Sequence, residues 1–179
     1  MNILAVDQAR NGAWSIYNYE TKELITFGAF SFPTAQYTYA QTMIGICDII
    51  TDLIDKYDIA VIFCEEIQLR KNVDSFKKLA QLQGAIVSTL ERNDYLYDFI
   101  APTKWQSYCN ARGRTSKEIK AKAKYVDITA GKKQSKVLSI QFVKDQFGIS
   151  TDDDNIADAI CIGYYVVNNV VIQTTEQKE

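Results

Sequence analysis

The 179-residue sequence contains no histidine, only 2 prolines, and 4 cysteines that stand far apart at Cys47, Cys64, Cys109 and Cys161. The missing histidine is the most restrictive of these features. It removes Ser-His and Cys-His nucleophiles, imidazole general bases and histidine-ligated zinc, so any hydrolysis must run on carboxylates, lysine or a metal. Without C-x-x-C spacing the cysteines form no zinc site, and the apolar context of three of them is that of reduced thiols packed as small hydrophobes. No apolar run approaches the ~20 residues of a membrane helix, and the N-terminus enters an apolar strand without a basic segment. A soluble, cytoplasmic protein with no membrane partner is expected.

What is present is enough for one well-filled core: 47% of the residues are hydrophobic, and no internal repeat or low-complexity stretch interrupts them. A single domain over residues 1–179 is expected. Net charge is only −2, but residues 101–145 hold 11 of the 20 Lys/Arg and 3 of the 22 Asp/Glu. The rest of the chain therefore carries 9 basic residues against 19 acidic ones. A protein acidic at one locus and basic in another can hold divalent cations and polyanions together.

The order of elements follows from periodicity. Asn2 to Asp7 is a short apolar run ending in a carboxylate, as in a buried central strand. Ala13 to Tyr19 alternates and is rich in aromatics, and Leu24 to Phe32 completes a three-strand meander that Pro33 stops. Met43, Cys47, Ile50, Ile54 and Tyr57 share one face of a helix over Tyr39 to Tyr57. Ile59 to Cys64 is a second continuous apolar strand, and it too runs into acid, at Glu65-Glu66. Asn72 or Asp74 can cap a helix that places Phe76, Leu79, Leu82, Ile86 and Leu90 on its apolar side, before a fifth strand over Tyr95 to Ile100. Pro102 opens a basic excursion at about 103–133 with one helical segment, Ser116 to Lys124. From Ser135, Val137, Ile140, Val143 and Phe147 repeat at helical spacing until Gly148, and a last helix runs from the Asp152-Asp153-Asp154 cluster to about Asn169.

The acids need an explanation. A carboxylate at the tip of one buried strand is usually a turn residue or helix cap, so Asp7 by itself favours a structural role by about two to one. Glu65 changes the balance, because adjacent strands that both end in acid bring like charges within a few ångströms unless a cation or proton lies between them. Acids at a helix start gain ~0.3–1 kcal/mol from the dipole, which accounts for Asp152 to Asp154 but not for Asp158, a full turn inside an otherwise apolar stretch. Asp154 and Asp158, spaced i and i+4, share a face and repel. A divalent metal converts that repulsion into a ligand set of the oxygen-only type that Mg²⁺ or Mn²⁺ prefers. Two such ions ~3.5–4 Å apart can activate a water and stabilise the leaving oxygen of a phosphodiester.

This α/β order, βββαβαβ followed by helices, with acids on the first and fourth strands and a closing Asp-x-x-x-Asp-Ala, resembles the ribonuclease H-like nuclease fold, a mixed five-stranded sheet with helices on both faces. Glu65, the Lys71-Asn72-Val73-Asp74-Ser75 that follows it, the Leu-x-Gln-x-x-Gly at Leu79 to Gly84, and Ala157-Asp158-Ala159 are similar to the RuvC-type Holliday-junction resolvases. A phage-encoded member working in a bacterial host cell is suspected. The resemblance implies that Asp7, Glu65 and Asp158 are catalytic acids. The family's remaining acid falls on Asn155, so Asp154 is taken as its substitute, ahead of Asp153 and Asp152. Gln68 stands where the bacterial enzymes carry an aromatic that stacks on a junction base, which weakens any expectation of sequence selectivity. Lys136 fits the helix before the closing motif and is expected at the scissile phosphate, whereas Lys104 is displaced and the stretch 106–130 looks inserted.

The resemblance implies a Mg²⁺-dependent endonuclease, with Mn²⁺ substituting and two ions per site on Asp7, Glu65, Asp154 and Asp158, that cuts four-way junctions and other branched DNA as a C2 homodimer. The helix from Asn72 to Glu91 is the expected interface. Arg70, Lys71, Lys104, Arg112, Arg114, Lys117, Lys120, Lys132 and Lys133 are expected to contact DNA, largely through phosphates, although a charge run is more often a solvated face. Trp105 is expected to pack in the core, with stacking on exposed bases as the alternative for it and Tyr108. An RNA-processing nuclease of the same fold, and a branched-DNA-binding module whose site has decayed, are the rival readings.

Overall fold

The computed structural model describes residues 1–69, 72–112 and 130–172, without the side chains of 130–136. β1 (Asn2–Asp7) and β4 (Ile59–Glu65), the two continuous apolar runs, lie side by side and parallel. Central strands with both faces covered have no polar face to alternate with, which is why neither shows a period of two. β2 (Asn11–Asn18) and β3 (Leu24–Ser31) continue the sheet antiparallel beyond β1, and β5 (Leu96–Ile100) adds to β4 in parallel. The order among the described residues is β3-β2-β1-β4-β5.

Helices cover both faces. α1 (Tyr39–Tyr57) starts from a capping box, in which Thr38 accepts from the Gln41 backbone and the Gln41 side chain accepts from the Thr38 N–H. α2 (Val73–Arg92) is capped by Asn72, whose side chain accepts from the Ser75 N–H. These two pack on the face formed by Leu4, Val6, Ile16, Ile62 and Cys64. The opposite face, formed by Ile3, Ala5, Tyr17, Val61 and Phe63, receives α3 (Pro102–Tyr108), α4 (Ala130–Phe147) and α5 (Asp154–Asn169). The layered ribonuclease H-like architecture is therefore as expected, and the four cysteines are buried free thiols.

Two segments differ from expectation. Pro102 begins a helix instead of a loose excursion, because a proline at the first helical position gives up no intrahelical bond and comes with its φ already set. Trp105, Cys109 and Ala111 are buried by it. α4 starts at Ala130 and not at Ser135, since apolar periodicity is blind to a polar opening turn. It ends at Gly148, whose φ of +69° is the left-handed conformation that closes a helix. The expected helix Ser116 to Lys124 lies outside the described residues.

Candidate active site

Side chains alternate across a strand, so Asp7 falls on the same face as Ile3 and Ala5, and Glu65 on the same face as Val61 and Phe63. That is the face beneath α3, α4 and α5. The parallel register pairs Val6 with Cys64, and Asp7 and Glu65 are the next residues of their strands. Neighbouring strands are ~4.8 Å apart, so the two acids stand side by side at the C-terminal edge of the sheet. Both are partly buried. Alternation sends Glu66 to the other face, where it is exposed, and this separates the two adjacent glutamates.

The direction of α5 decides what meets them. Ser15 donates its hydroxyl to the carbonyl of Ala159 at 2.7 Å, Tyr17 to that of Ile160 at 2.9 Å, and Tyr19 to that of Val170 at 2.7 Å. Ser15 is paired with Ala5 and Tyr17 with Ile3, so α5 runs antiparallel to β1 and its first turn points toward the end carrying Asp7. Asp7 lies two residues beyond Ala5, about 7 Å along the strand. Asp154 lies five residues before Ala159, about 7.5 Å along the helix. Gly163 lets the helix lie close, because a Cβ there would stand 2.5 Å from the Tyr17 ring and 2.8 Å from the Ser15 hydroxyl.

Within the acidic cluster at the head of α5 the roles separate. Asp153 is the cap, accepting from the Asn155 backbone at 2.9 Å and from its side-chain amide at 3.0 Å. Asp152 is exposed, whereas Asp154 and Asp158 are partly buried. Asp158 also acts on the core beneath it. The Cys161 thiol is pushed well up, first by hydrogen bonding with Cys109, then by burial, with smaller contributions from the charges of Cys109 and Asp158.

Two residues assigned no catalytic role from sequence hold Glu65. The indole N–H of Trp105 donates to Glu65 Oε1 at 2.9 Å. Gln8, only 4% exposed, donates Nε2 to the backbone carbonyl of Glu65 at 2.7 Å and to Gln83 Oε1 on α2 at 3.0 Å. Its own Oε1 is buried without a hydrogen-bond partner. Trp105 does belong to the core as expected, at 1% exposure, but its one polar atom reaches a candidate catalytic acid. Tyr108 is 40% exposed and packs beside Tyr164 and Tyr165.

The basic candidates are placed less completely. Lys104 on α3 and Arg112 just after it are exposed. Lys132, Lys133 and Lys136 lie on α4, in the part whose side chains are not described. Arg70, Lys71, Arg114, Lys117 and Lys120 lie outside the described residues. No described helix is long and apolar enough to cross a membrane.

The donor chemistry at the strand ends fits a hard divalent cation, since the candidate ligands are all carboxylates. Among the described residues no group of three or more Asp, Glu, Cys or His side chains is arranged as a ready-made metal site. The sheet thus supplies a pair of acids at its C-terminal edge, and the first turn of α5, which begins at Asp154, is directed toward that edge.

A family profile described as crossover junction endodeoxyribonuclease RuvC matches residues 3–164. The chain belongs to the RuvC family. Its members are metal-dependent nucleases acting at crossover junctions, and this chain is an endonuclease of that kind. Thermus thermophilus RuvC superposes with a TM-score of 0.65 at 12% identity, covering 92% of each chain. T. thermophilus RuvC in complex with a Holliday junction substrate gives 0.64 at 10% identity, over 92% of this chain and 91% of that one. Fowlpox virus resolvase with its substrate Holliday junction DNA gives 0.52 at 16% identity, over 96% of this chain and 100% of that one. At such identities the likeness is one of fold. Comparison with curated proteins finds no match.

Proposed function

We propose that this RuvC-family chain is a single-domain, structure-selective endonuclease that cuts four-way DNA junctions, and related branched DNA, by metal-dependent hydrolysis. Asp7, Glu65, Asp154 and Asp158 would hold two Mg²⁺ ions, with Mn²⁺ able to replace them. The observation that carries this reading is the position of Asp7 and Glu65 one residue beyond the Val6–Cys64 pair, at the ends of adjacent parallel strands, with the first turn of α5 directed toward that end of β1. Two carboxylates at that spacing repel, and a divalent cation between them would make their juxtaposition favourable. Asp153 is occupied as a cap, which supports Asp154 as the fourth acid.

The chemistry such ions supply is neutralisation of the phosphate charge and ionisation of a nucleophilic water. In the reaction a P–O bond forms to the water oxygen as the bond to the leaving deoxyribose oxygen breaks. The carboxylates orient the reacting centre, while Lys136 on α4 would neutralise the scissile phosphate. Lys104, Arg112 and the basic residues Arg70, Lys71, Arg114, Lys117, Lys120, Lys132 and Lys133 would grip flanking phosphates. Cutting two strands symmetrically needs two sites, so a C2 homodimer joined through α2 is part of the proposal. The cytoplasm of a bacterial host cell is part of the same proposal, as a compartment in which branched DNA is available to the enzyme.

The test is cleavage of a four-way junction against linear duplex, with and without Mg²⁺, by the parent chain and by Asp7→Asn and Glu65→Gln. Both variants should fold and bind the junction while cleavage falls to background. Parental rates from folded variants would refute the assignment. Cleavage of structured RNA with junctions left intact would replace it with an RNA-processing nuclease, and tight junction binding without Mg²⁺ or Mn²⁺ binding would replace it with a non-catalytic module.

A further inference from the structure

We infer that Trp105 is a positioning residue for Glu65: its buried indole N–H clamps one carboxylate oxygen and so sets the orientation in which that side chain meets a divalent cation. The inference rests on the reading of Glu65 as a metal-binding acid.

The geometry is direct. Nε1 of Trp105 lies 2.9 Å from Oε1 of Glu65, and the tryptophan is 1% exposed in the core shared by Ile100, Ala157 and Cys161. An indole carries one polar atom, a donor that accepts nothing and coordinates no metal. Buried, that donor must find an acceptor, and a backbone carbonyl would have sufficed. Here it meets an ionisable side chain at the edge of the sheet, in a charge-assisted bond stronger than one to a neutral acceptor.

Local structure explains why the tryptophan arrives there. Glu65 is paired with Ile100, the last residue of β5, and the Glu66 N–H donates to the Ile100 carbonyl at 2.9 Å. Pro102 then starts α3 at once, so the first turn of that helix rises beside the end of β4 and carries Trp105 onto the glutamate. Glutamate also needs a clamp more than aspartate does. Its extra methylene adds a rotatable bond, and Gln8 restrains only its backbone carbonyl. Trp105 restrains the other end.

The probe is Mn²⁺ alone, titrated calorimetrically into the full chain, with metal-free junction binding and thermal unfolding measured in parallel. Trp105→Phe should weaken Mn²⁺ binding by about 10–100-fold, as loss of a group that orients a metal ligand does elsewhere, and leave metal-free junction affinity unchanged. In a Glu65→Gln background the same change should add nothing, which a general loosening of the core would not reproduce. Should Trp105→Phe unfold the chain, benzothienylalanine at position 105 keeps the bicyclic shape without the N–H and should give the same weakening. Parental Mn²⁺ affinity in the folded Trp105 variant, with Glu65→Gln weakened, overturns the clamp alone. Parental affinity in Glu65→Gln overturns the clamp together with the reading beneath it.

Discussion

Gln8 Nε2 sits 2.7 Å from the backbone carbonyl oxygen of Glu65, so the residue after one candidate acid is bonded to the other acid's main chain. The same nitrogen reaches Gln83 at 3.0 Å, and one carboxamide thereby ties the ends of β1 and β4 to α2. The bond holds the two strand ends at a common level, where repulsion between the carboxylates works to part them.

Gln8→Ala should lower stability by about 1 kcal/mol, because two part-buried acceptors lose their donor. The unpartnered Gln8 Oε1 disappears with the side chain, which offsets part of the loss. Urea unfolding of parent and variant measures it, and an unchanged midpoint would show that the carboxamide holds nothing.

Gly163→Ala should also destabilise, by about 1–3 kcal/mol, although alanine is the better helix former. The new methyl would meet the Tyr17 ring at 2.5 Å and push α5 from the sheet. Because α5 carries Asp154 and Asp158, junction cleavage should fall in the same variant. Thermal unfolding and a single-turnover assay read the two effects separately.

Stability should decline from about pH 9 upward. Burial, with a smaller push from Cys47, raises the Cys64 thiol from its ordinary 9.0 to about 12. Burial likewise raises the Tyr17 hydroxyl well above 10.0, with the charges of Cys161, Cys109 and Tyr164 adding to the shift. A group whose folded value is raised contributes stability that is complete below its unfolded value and is lost as pH climbs through the folded one. Urea unfolding at a series of alkaline pH values should show the fall, and Cys64→Ala should make it shallower between the ordinary thiol value of 9.0 and about 12. A slope identical to the parent's would mean that Cys64 ionises equally in both states.

Junction affinity should fall steeply with salt, since 11 of the 20 Lys/Arg lie between residues 101 and 145. Replacing Arg114, Lys117 and Lys120 together by alanine should weaken binding at low salt and reduce the slope of log affinity against log salt by about 0.9 for each phosphate that these side chains neutralise in the parent. Filter binding at several salt concentrations checks this, and an unaltered slope would assign these charges to solvent.

Much of this protein follows from its sequence alone. Two continuous apolar runs ending in Asp7 and Glu65 mark central parallel strands, because only strands buried on both faces lack alternation. The absence of histidine confines hydrolysis to carboxylates, lysine and metal, and Asp158 stands out as a charge inside an otherwise apolar helix. These are local signals, legible in a few residues at a time. The face on which the acids project together, the direction of α5 and the partners of Glu65 were decided only by tertiary structure. The bonds responsible join residues 57 apart for Gln8 and Glu65, 40 for Trp105 and Glu65, and 144 for Ser15 and Ala159. No periodicity encodes such pairs; they arise when strand order and helix packing bring distant polar groups into a core where each must find a partner.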